Sequence, residues 1–258
     1  MKMLASDYDG TLHFKDGYHA EDLEAIRRFQ AAGNKFGLCS GRPMKNLLEL
    51  ETKDIRFDFV IGASGAAFAD KGKIVYEKTI PYPTFEKIYS LMDGHNLFVS
   101  TKTGMYGSLA DIGFLTGWCE LAYDLTSPDL VQDQDIVHVS IEYETLEEIE
   151  AVLPRLEALR NEVAFYQNGP SVDFVPKGFS KKRGIDFAAS FYGLEAGQVA
   201  CIGDNYNDLP MIEGVPDSYT FDFAPAGIQK KAKHVVSSLA QCIAYLMEED
   251  NENTGERF

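Results

Sequence analysis

Positive charge is scarce in this sequence. Its 258 residues carry 24 Lys and Arg against 40 Asp and Glu, a formal net charge of -16. Nucleic-acid affinity comes mainly from Lys and Arg neutralising phosphates, so no nucleic-acid partner is expected. An anionic membrane surface is disfavoured on the same ground. Long apolar runs are also missing. Nothing approaches the roughly 18 residues of a membrane span. Cysteine is sparse, with Cys39, Cys119, Cys201 and Cys242 forming no CxxC pair. Buried free thiols and a reducing compartment are the expectation. Met1 to Asp7 reaches an acidic residue too soon for a secretory leader, so a cytoplasmic location is expected. No HExxH, Walker loop or GxGxxG occurs. Gly62-Ala63-Ser64-Gly65-Ala66 comes near a nucleophile elbow but lacks its last glycine. His13, His19, His95, His138 and His234 show no paired-ligand spacing and read as surface or packed side chains.

What is present is ordinary globular composition: 45% hydrophobic and 25% charged residues, with length enough for a real core. The chain opens in a regular rhythm. Short apolar runs at Met3 to Ser6, Lys35 to Cys39 and Phe57 to Ile61 read as buried strands. Helical patterns fill Asp22 to Ala32, closed by Gly33, and Asn46 to Glu51. Strand and helix in alternation predict an α/β fold, a Rossmann-like parallel sheet with helices on both faces. The loops after such strands open at one edge, where ligands bind.

The rhythm breaks after Lys71. A strand over Lys73 to Lys78 is followed by Pro81 and Pro83. A helix over Thr84 to Asp93 comes next, then alternating strands at Asn96 to Thr101 and Ile136 to Tyr143. Thr145 to Arg160 is helical, with Pro154 a candidate kink. A hairpin is expected around Asn168-Gly169-Pro170. Trp118, Phe114 and Leu115 read as core of this middle region. The first pattern returns with a helix over Lys181 to Tyr192, strands at Gln198 to Ile202 and Ser218 to Phe223, and helices at Ile228 to His234 and Leu239 to Met247. Glu248 to Phe258 reads as a frayed polar tail. The layout predicts a core of residues 1–81 and 181–258, interrupted by an inserted α+β domain over 82–180.

Four local patterns carry chemistry. Asp7-Tyr8-Asp9-Gly10-Thr11 places two carboxylates at the end of an extended strand, two residues apart and so on one side. Gly10 allows a sharp turn after them. Gly203-Asp204-Asn205-Tyr206-Asn207-Asp208 follows another buried strand and offers several oxygen ligands, the donors a hard cation such as Mg²⁺ prefers. Ser40-Gly41-Arg42 follows a third strand, where a hydroxyl and loop N–H groups can hold phosphate oxygens. Lys181 starts a helix and supplies a compact positive charge. The neighbouring Lys182 and Arg183 read as a solvated helix start.

In this order, the four patterns resemble the haloacid dehalogenase superfamily. Asp7 to Thr11 matches its DxDGT signature, Ser40 its second motif, Lys181 its third and Gly203 to Asp208 its GDxxND fourth. The long middle insert resembles the Cof-type sugar-phosphatase subfamily with its type-II cap. Asp9 at the second acidic position resembles a phosphatase rather than a dehalogenase. The resemblance implies that Asp7 is the nucleophile of an aspartyl-phosphate intermediate and that Asp9 serves as acid and then base. Asp7, the Asp9 carbonyl and Asp204 would hold Mg²⁺, supported by Asn207 and Asp208. Ser40, Gly41 and Lys181 would bind the phosphoryl group, with Arg42 available to the substrate. Small phosphorylated metabolites, phosphosugars first, would be the substrates. A phosphomutase and a non-catalytic phospho-ligand module remain alternatives at this point. Two turns depart from the family pattern, Ala63-Ser64-Gly65-Ala66 and Ala224-Pro225-Ala226-Gly227. Both are expected near the junction of core and cap.

Overall fold

The computed structural model describes residues 1–50, 55–91, 94–108 and 122–254, with side chains described as far as Glu248. Strands β1 (Met3–Ser6), β2 (Lys35–Cys39) and β3 (Phe59–Gly62) lie parallel and adjacent. Every residue of the three except Lys35 is buried. Burial on both faces explains their unbroken apolar runs. Leu4, Phe36, Leu38 and Val60 share one cluster with Ala25, Ile26 and Phe29 of helix α1 (Ala20–Ala31). Met3, Ala5, Cys39, Phe59 and Ile61 belong to the opposite cluster. Helix α2 is short, Met44–Leu48, and stops before the expected Glu51, which lies outside the described residues.

The chain then adds two strands that the sequence pattern did not announce as a pair. Strand β4 (Ala67–Asp70) runs antiparallel to β3, and β5 (Lys73–Glu77) antiparallel to β4. The first was missed because Ala-Phe-Ala-Asp is too short and too alanine-rich to show β propensity. The expected Lys73 strand is present and forms the sheet edge.

A second sheet follows, opened by helix α3 (Tyr82–Tyr89). It contains β6 (Asn96–Thr101), β7 (Met105–Gly107), β8 (Ala122–Asp124), β9 (Ile136–Glu142), β10 (Val163–Asn168) and β11 (Ser171–Pro176), in the order β10-β11-β9-β6-β7-β8. The expected hairpin is β10–β11, paired antiparallel from Asn168↔Ser171 outward. The three-residue strands β7 and β8 were not expected. Helix α4 (Leu146–Ala158) begins with a capping box, Thr145 Oγ1 accepting from Glu148 N at 3.3 Å, and contains Pro154. Ile149, Val152 and Leu156 of α4 pack with Phe85 and Ile88 of α3 against Leu97, Val99, Val139, Ile141, Val172 and Phe174. One face of the second sheet is thus closed by helices. Ile80, before the expected boundary, already belongs to this cluster. Phe114, Leu115, Trp118 and Cys119 lie outside the described residues.

From Lys181 the chain rejoins the first sheet through α5 (Lys181–Tyr192), β12 (Val199–Ile202), α6 (Leu209–Gly214), β13 (Asp217–Phe221), α7 (Ala226–Gln229), β14 (His234–Val236) and α8 (Leu239–Thr254). The complete order is β14-β13-β12-β1-β2-β3-β4-β5. Helix α8 joins the α1 face through Leu239, Cys242, Ile243 and Leu246, while Ile185 and Ala188 of α5 cover the other face. Helices therefore flank both faces, as expected. The helix expected over Ile228 to His234 is corrected. It ends at Gln229, and His234 begins an edge strand paired with β13. The β-branched pair Val235-Val236 favours that extended pairing over another helical turn. The last helix also continues past Met247 to Thr254.

Candidate active site

Strand β1 delivers Asp7 to the sheet edge, and the Asp7 amide still donates to Ile202 O at 3.0 Å. That bond sets the loop after β1 beside the loop after β12. Gly10 turns the chain back with φ +79°, and a Cβ there would stand 2.8 Å from Asp204 Oδ2. Glycine is required twice over, by dihedral and by space. Thr11 Oγ1 donates to Asp204 Oδ1 at 2.7 Å and ties the two loops together.

Lys181 enters from the start of α5. Ser180 caps that helix, its Oγ accepting from Arg183 N at 3.1 Å. The Lys181 side chain is fully buried. Its Nζ donates to Asp7 Oδ1 at 2.8 Å and to Asp208 Oδ1. The other oxygen of Asp208 accepts from the Asp204 and Asn205 amides at 2.9 and 3.0 Å. Asp208 is therefore an anchor for both Lys181 and the loop that carries Asp204. Lys182 pairs with Asp186 and Arg183 donates to Gly178 O, so neither joins this centre.

The Ala63–Gly65 turn fastens Ser40 and α5 together. Ser64 N donates to Ser40 O at 3.0 Å and Ala63 N to Arg42 O at 2.8 Å. Gly65 has φ +96°, and a Cβ on it would meet Ser180 O at 2.1 Å. This departure from the family pattern also touches the second sheet, since Ala63 and Ala66 cluster with Val175 and Phe179. In the other departure, Ala224 sits in the α1-side core and Gly227 faces Tyr206.

Carboxylate oxygens of Asp7, Asp204 and Asp208 lie within 4.8 Å of one another, a cluster found among the described residues. Burial, reinforced by Asp208, pushes Asp7 up to about 8 against the pull of Lys181. Burial pushes Asp204 up to about 6, opposed by the Thr11 hydroxyl. Burial alone would lower Lys181, but Asp208 and Asp7 outweigh it and hold the ammonium protonated. The centre thus contains more negative charge than one lysine balances. Asn207 Oδ1, buried beside it, has no hydrogen-bond partner. An all-oxygen donor set with excess negative charge and a spare amide oxygen fits a hard divalent cation.

The remaining candidates lie on the other side of Asp7. Asp9 is turned away from the carboxylate cluster and accepts twice from Arg42, at 2.7 Å each. Ser40 is buried, and its Oγ accepts from Arg42 N at 3.2 Å. Gly41, Arg42, Asp7 and Asp9 line a cavity of about 290 Å³, with Asn207 among its other walls. The far wall belongs to the second sheet and includes His138 and Asp173. Sequence reasoning missed this wall and read His138 as packed or surface. The signal was the alternation of His138, Ser140 and Glu142 with Val137, Val139 and Ile141 along β9.

A model of the haloacid dehalogenase-like hydrolases matches residues 4–245. The chain belongs to that family, as a Cof-type member. The stress response protein YhaX of Bacillus subtilis is 34% identical over 96% of this chain and 92% of its own length. A longer relative from Streptococcus pyogenes, whose name joins a phosphatase to a peptidyl-prolyl cis-trans isomerase, is 25% identical. This chain spans about half of that relative, 96% of the chain against 54% of the longer protein. Among solved structures, the subclass IIB sugar phosphatase BT4131 superposes with a TM-score of 0.80 at 19% identity, over 99% of both chains. The hydrolase therefore has the two-sheet architecture of its family, and no helix among its described residues is long and apolar enough to cross a membrane.

Proposed function

We propose that this hydrolase is a Mg²⁺-dependent phosphatase of small phosphomonoesters, working through an aspartyl-phosphate on Asp7. The observation that carries the reading is the meeting of Asp7, Lys181, Asp204 and Asp208 at the end of β1, beside a cavity closed by the second sheet. Asp7, Asp204, the Asp9 carbonyl and Asn207 would hold the cation, with Asp208 fixing Lys181 and the Asp204 loop. Bound there, Mg²⁺ supplies the positive charge that lets a phosphate dianion enter.

An oxygen of Asp7 attacks phosphorus and the bond to the leaving alcohol breaks. Asp9 gives that alcohol its proton. Asp9 then takes a proton from water as the water attacks phosphorus, which frees inorganic phosphate and restores Asp7. Lys181 and Ser40, with the Gly41 backbone, stabilise the charge on the transferring group. Residues 1–81 and 181–258 form the catalytic core in this reading, and 82–180 the cap that shields the site from water and selects the leaving group. Buried free Cys39, Cys201 and Cys242 accord with a cytoplasmic enzyme.

The test is phosphate release from p-nitrophenyl phosphate. Release that needs Mg²⁺, stops in excess chelator and is abolished by Asp7→Asn is expected. Release by Asp7→Asn at the wild-type rate contradicts the assignment. Transfer to an added sugar phosphate without free phosphate would identify a mutase instead.

A further inference from the structure

The cavity wall contributed by the second sheet sets a row of polar side chains, together with Phe98 and Met105, on one face of its strands. Ser100 of β6 stands opposite His138 of β9. Phe98 stands opposite Ser140, and Ser140 opposite Asp173 of β11. Glu142 stands opposite Ser171. All line the cavity. The intervening residues Val99, Val139, Ile141 and Val172 face the helices and make the core of this domain. Period-two alternation thus gives the sheet one apolar and one hydrophilic face, and the hydrophilic one looks at Asp7.

Two polar groups in this wall are buried, Ser100 at 2% exposed and His138 at 8%. Ser100 Oγ has no hydrogen-bond partner, and His138 Nε2 has the Asp173 carboxylate as its neighbour. Buried polar atoms of this kind cost free energy until something bonds to them. His138 Nε2 lies 3.4 Å from Asp173 Oδ1. Asn168 Nδ2 donates to Asp173 Oδ2 at 3.3 Å. Burial pushes Asp173 up, yet His138, Ser140 and Asn168 pull harder and hold it below the ordinary carboxylate value. The wall therefore carries two carboxylates, Asp173 beside the His138 imidazole and Glu142. Among the described residues, Arg42 is the Lys or Arg that lines the cavity, and it belongs to the phosphate side, bonded to Asp9.

Resting on the phosphatase reading above, we propose that this wall selects an uncharged, hydroxyl-rich leaving group and rejects one bearing a carboxylate or a second phosphate. Hydroxyl groups can donate to Asp173 and Glu142 and can pair with Ser100 Oγ and His138 Nε2. An anionic group would meet the Asp173 and Glu142 carboxylates, with no Lys or Arg on that wall among the described residues, and like charges so placed are unfavourable. Sites built around buried hydrogen-bonding groups discriminate sharply, because the wrong substrate leaves those groups unpaired.

The experiment compares kcat/KM for phosphate release across neutral aldose, ketose and alditol phosphates, with 6-phosphogluconate and fructose 1,6-bisphosphate as matched anionic esters. A neutral member should exceed both anionic esters by about tenfold or more. Glu142→Gln and, independently, Asp173→Asn should narrow that ratio, mainly by improving KM for 6-phosphogluconate. Two variants guard against one that misfolds. An anionic ester turned over as well as the best neutral one, or a ratio unmoved in folded variants, overturns the proposal. p-Nitrophenyl phosphate separates the two layers. If it is not hydrolysed, the phosphatase reading itself fails. If it is hydrolysed while the sugar panel shows no preference for neutral esters, only the wall's role fails.

Discussion

Arg42 grips Asp9 with both arms of its guanidinium, Nε to Oδ2 and Nη2 to Oδ1, each at 2.7 Å. The fork matches a carboxylate, and it would match a phosphate equally well. Asp9 is half exposed, with 53% of its side-chain surface accessible. The exposed Asp9 can be rehydrated when Arg42 leaves it, so a competing anion can take its place on the fork. A phosphoryl group arriving on Asp7 can therefore draw Arg42 away and release Asp9 to handle the proton.

That exchange makes Arg42 a substrate-binding group. Charged hydrogen bonds contribute about 1.5–3 kcal/mol, so Arg42→Ala should raise KM for a phosphomonoester roughly ten- to a hundredfold. Arg42→Lys should restore only part of this, because an ammonium cannot present a planar fork. Steady-state kinetics on the three proteins check it. Unchanged KM in Arg42→Ala would place the residue outside substrate binding.

The Ala63–Gly65 turn is predicted to be a structural keystone for Lys181. In Gly65→Ala, the new Cβ would overlap Ser180 O, 2.1 Å away, at a backbone φ of +96°. The dihedral alone costs about 1–2 kcal/mol, and overpacking adds about 1–3 kcal/mol. Gly72→Ala is the control. Its φ is +75° with open space around the Cβ, so only the dihedral cost applies. Denaturant unfolding should rank Gly65→Ala well below Gly72→Ala, and equal losses would refute the steric argument.

The crowded carboxylates give the metal-free protein a particular pH response. Folding raises Asp7 from 3.8 to about 8 and Asp204 from 3.8 to about 6. Between those values the folded chain binds more protons than the unfolded one, so these groups make stability fall as pH rises from about 4 to about 8. A divalent cation competes for the deprotonated cluster and relieves the repulsion. Thermal unfolding should show a larger upward shift of Tm with Mg²⁺ at pH 8 than at pH 5. An equal shift at both would mean that the cation binds elsewhere.

Lys181 is the sole buried ammonium in contact with Asp7 and Asp208 among the described residues. Removing one partner of a buried charge group costs about 3–5 kcal/mol because the others are left uncompensated. Lys181→Met should lose stability on that scale at neutral pH and recover much of it when Mg²⁺ is added. A neutral effect in chemical denaturation would show that the carboxylates do not repel as described.

The candidate site was legible where oxygen-bearing side chains follow buried strands, Asp7 and Asp9 after β1 and Asp204, Asn207 and Asp208 after β12. Ser40 and the helix-start Lys181 are ordinary singly and were readable only from the order of the four patterns together. The two-sheet plan was legible from the break in strand–helix rhythm after Lys71. Strands β4, β7, β8 and β14 were not, since runs of three or four residues take their conformation from a neighbour's hydrogen bonds rather than from their own pattern. The polar wall was hidden for a different reason. His138, Ser140 and Glu142 alternate as any solvent-facing strand residues do, and only the position of the first sheet makes that face an inner one. The pairing of Asp9 with Arg42 was equally invisible, because 33 residues separate them.

The most direct measurement is acid quenching of the enzyme during turnover of radiolabelled acetyl phosphate with Mg²⁺, followed by peptide mapping. The account predicts acid-stable, hydroxylamine-labile label on Asp7, absent in Asp7→Asn. Label on another residue, or rapid phosphate release with Asp7→Asn intact as a catalyst, would contradict it.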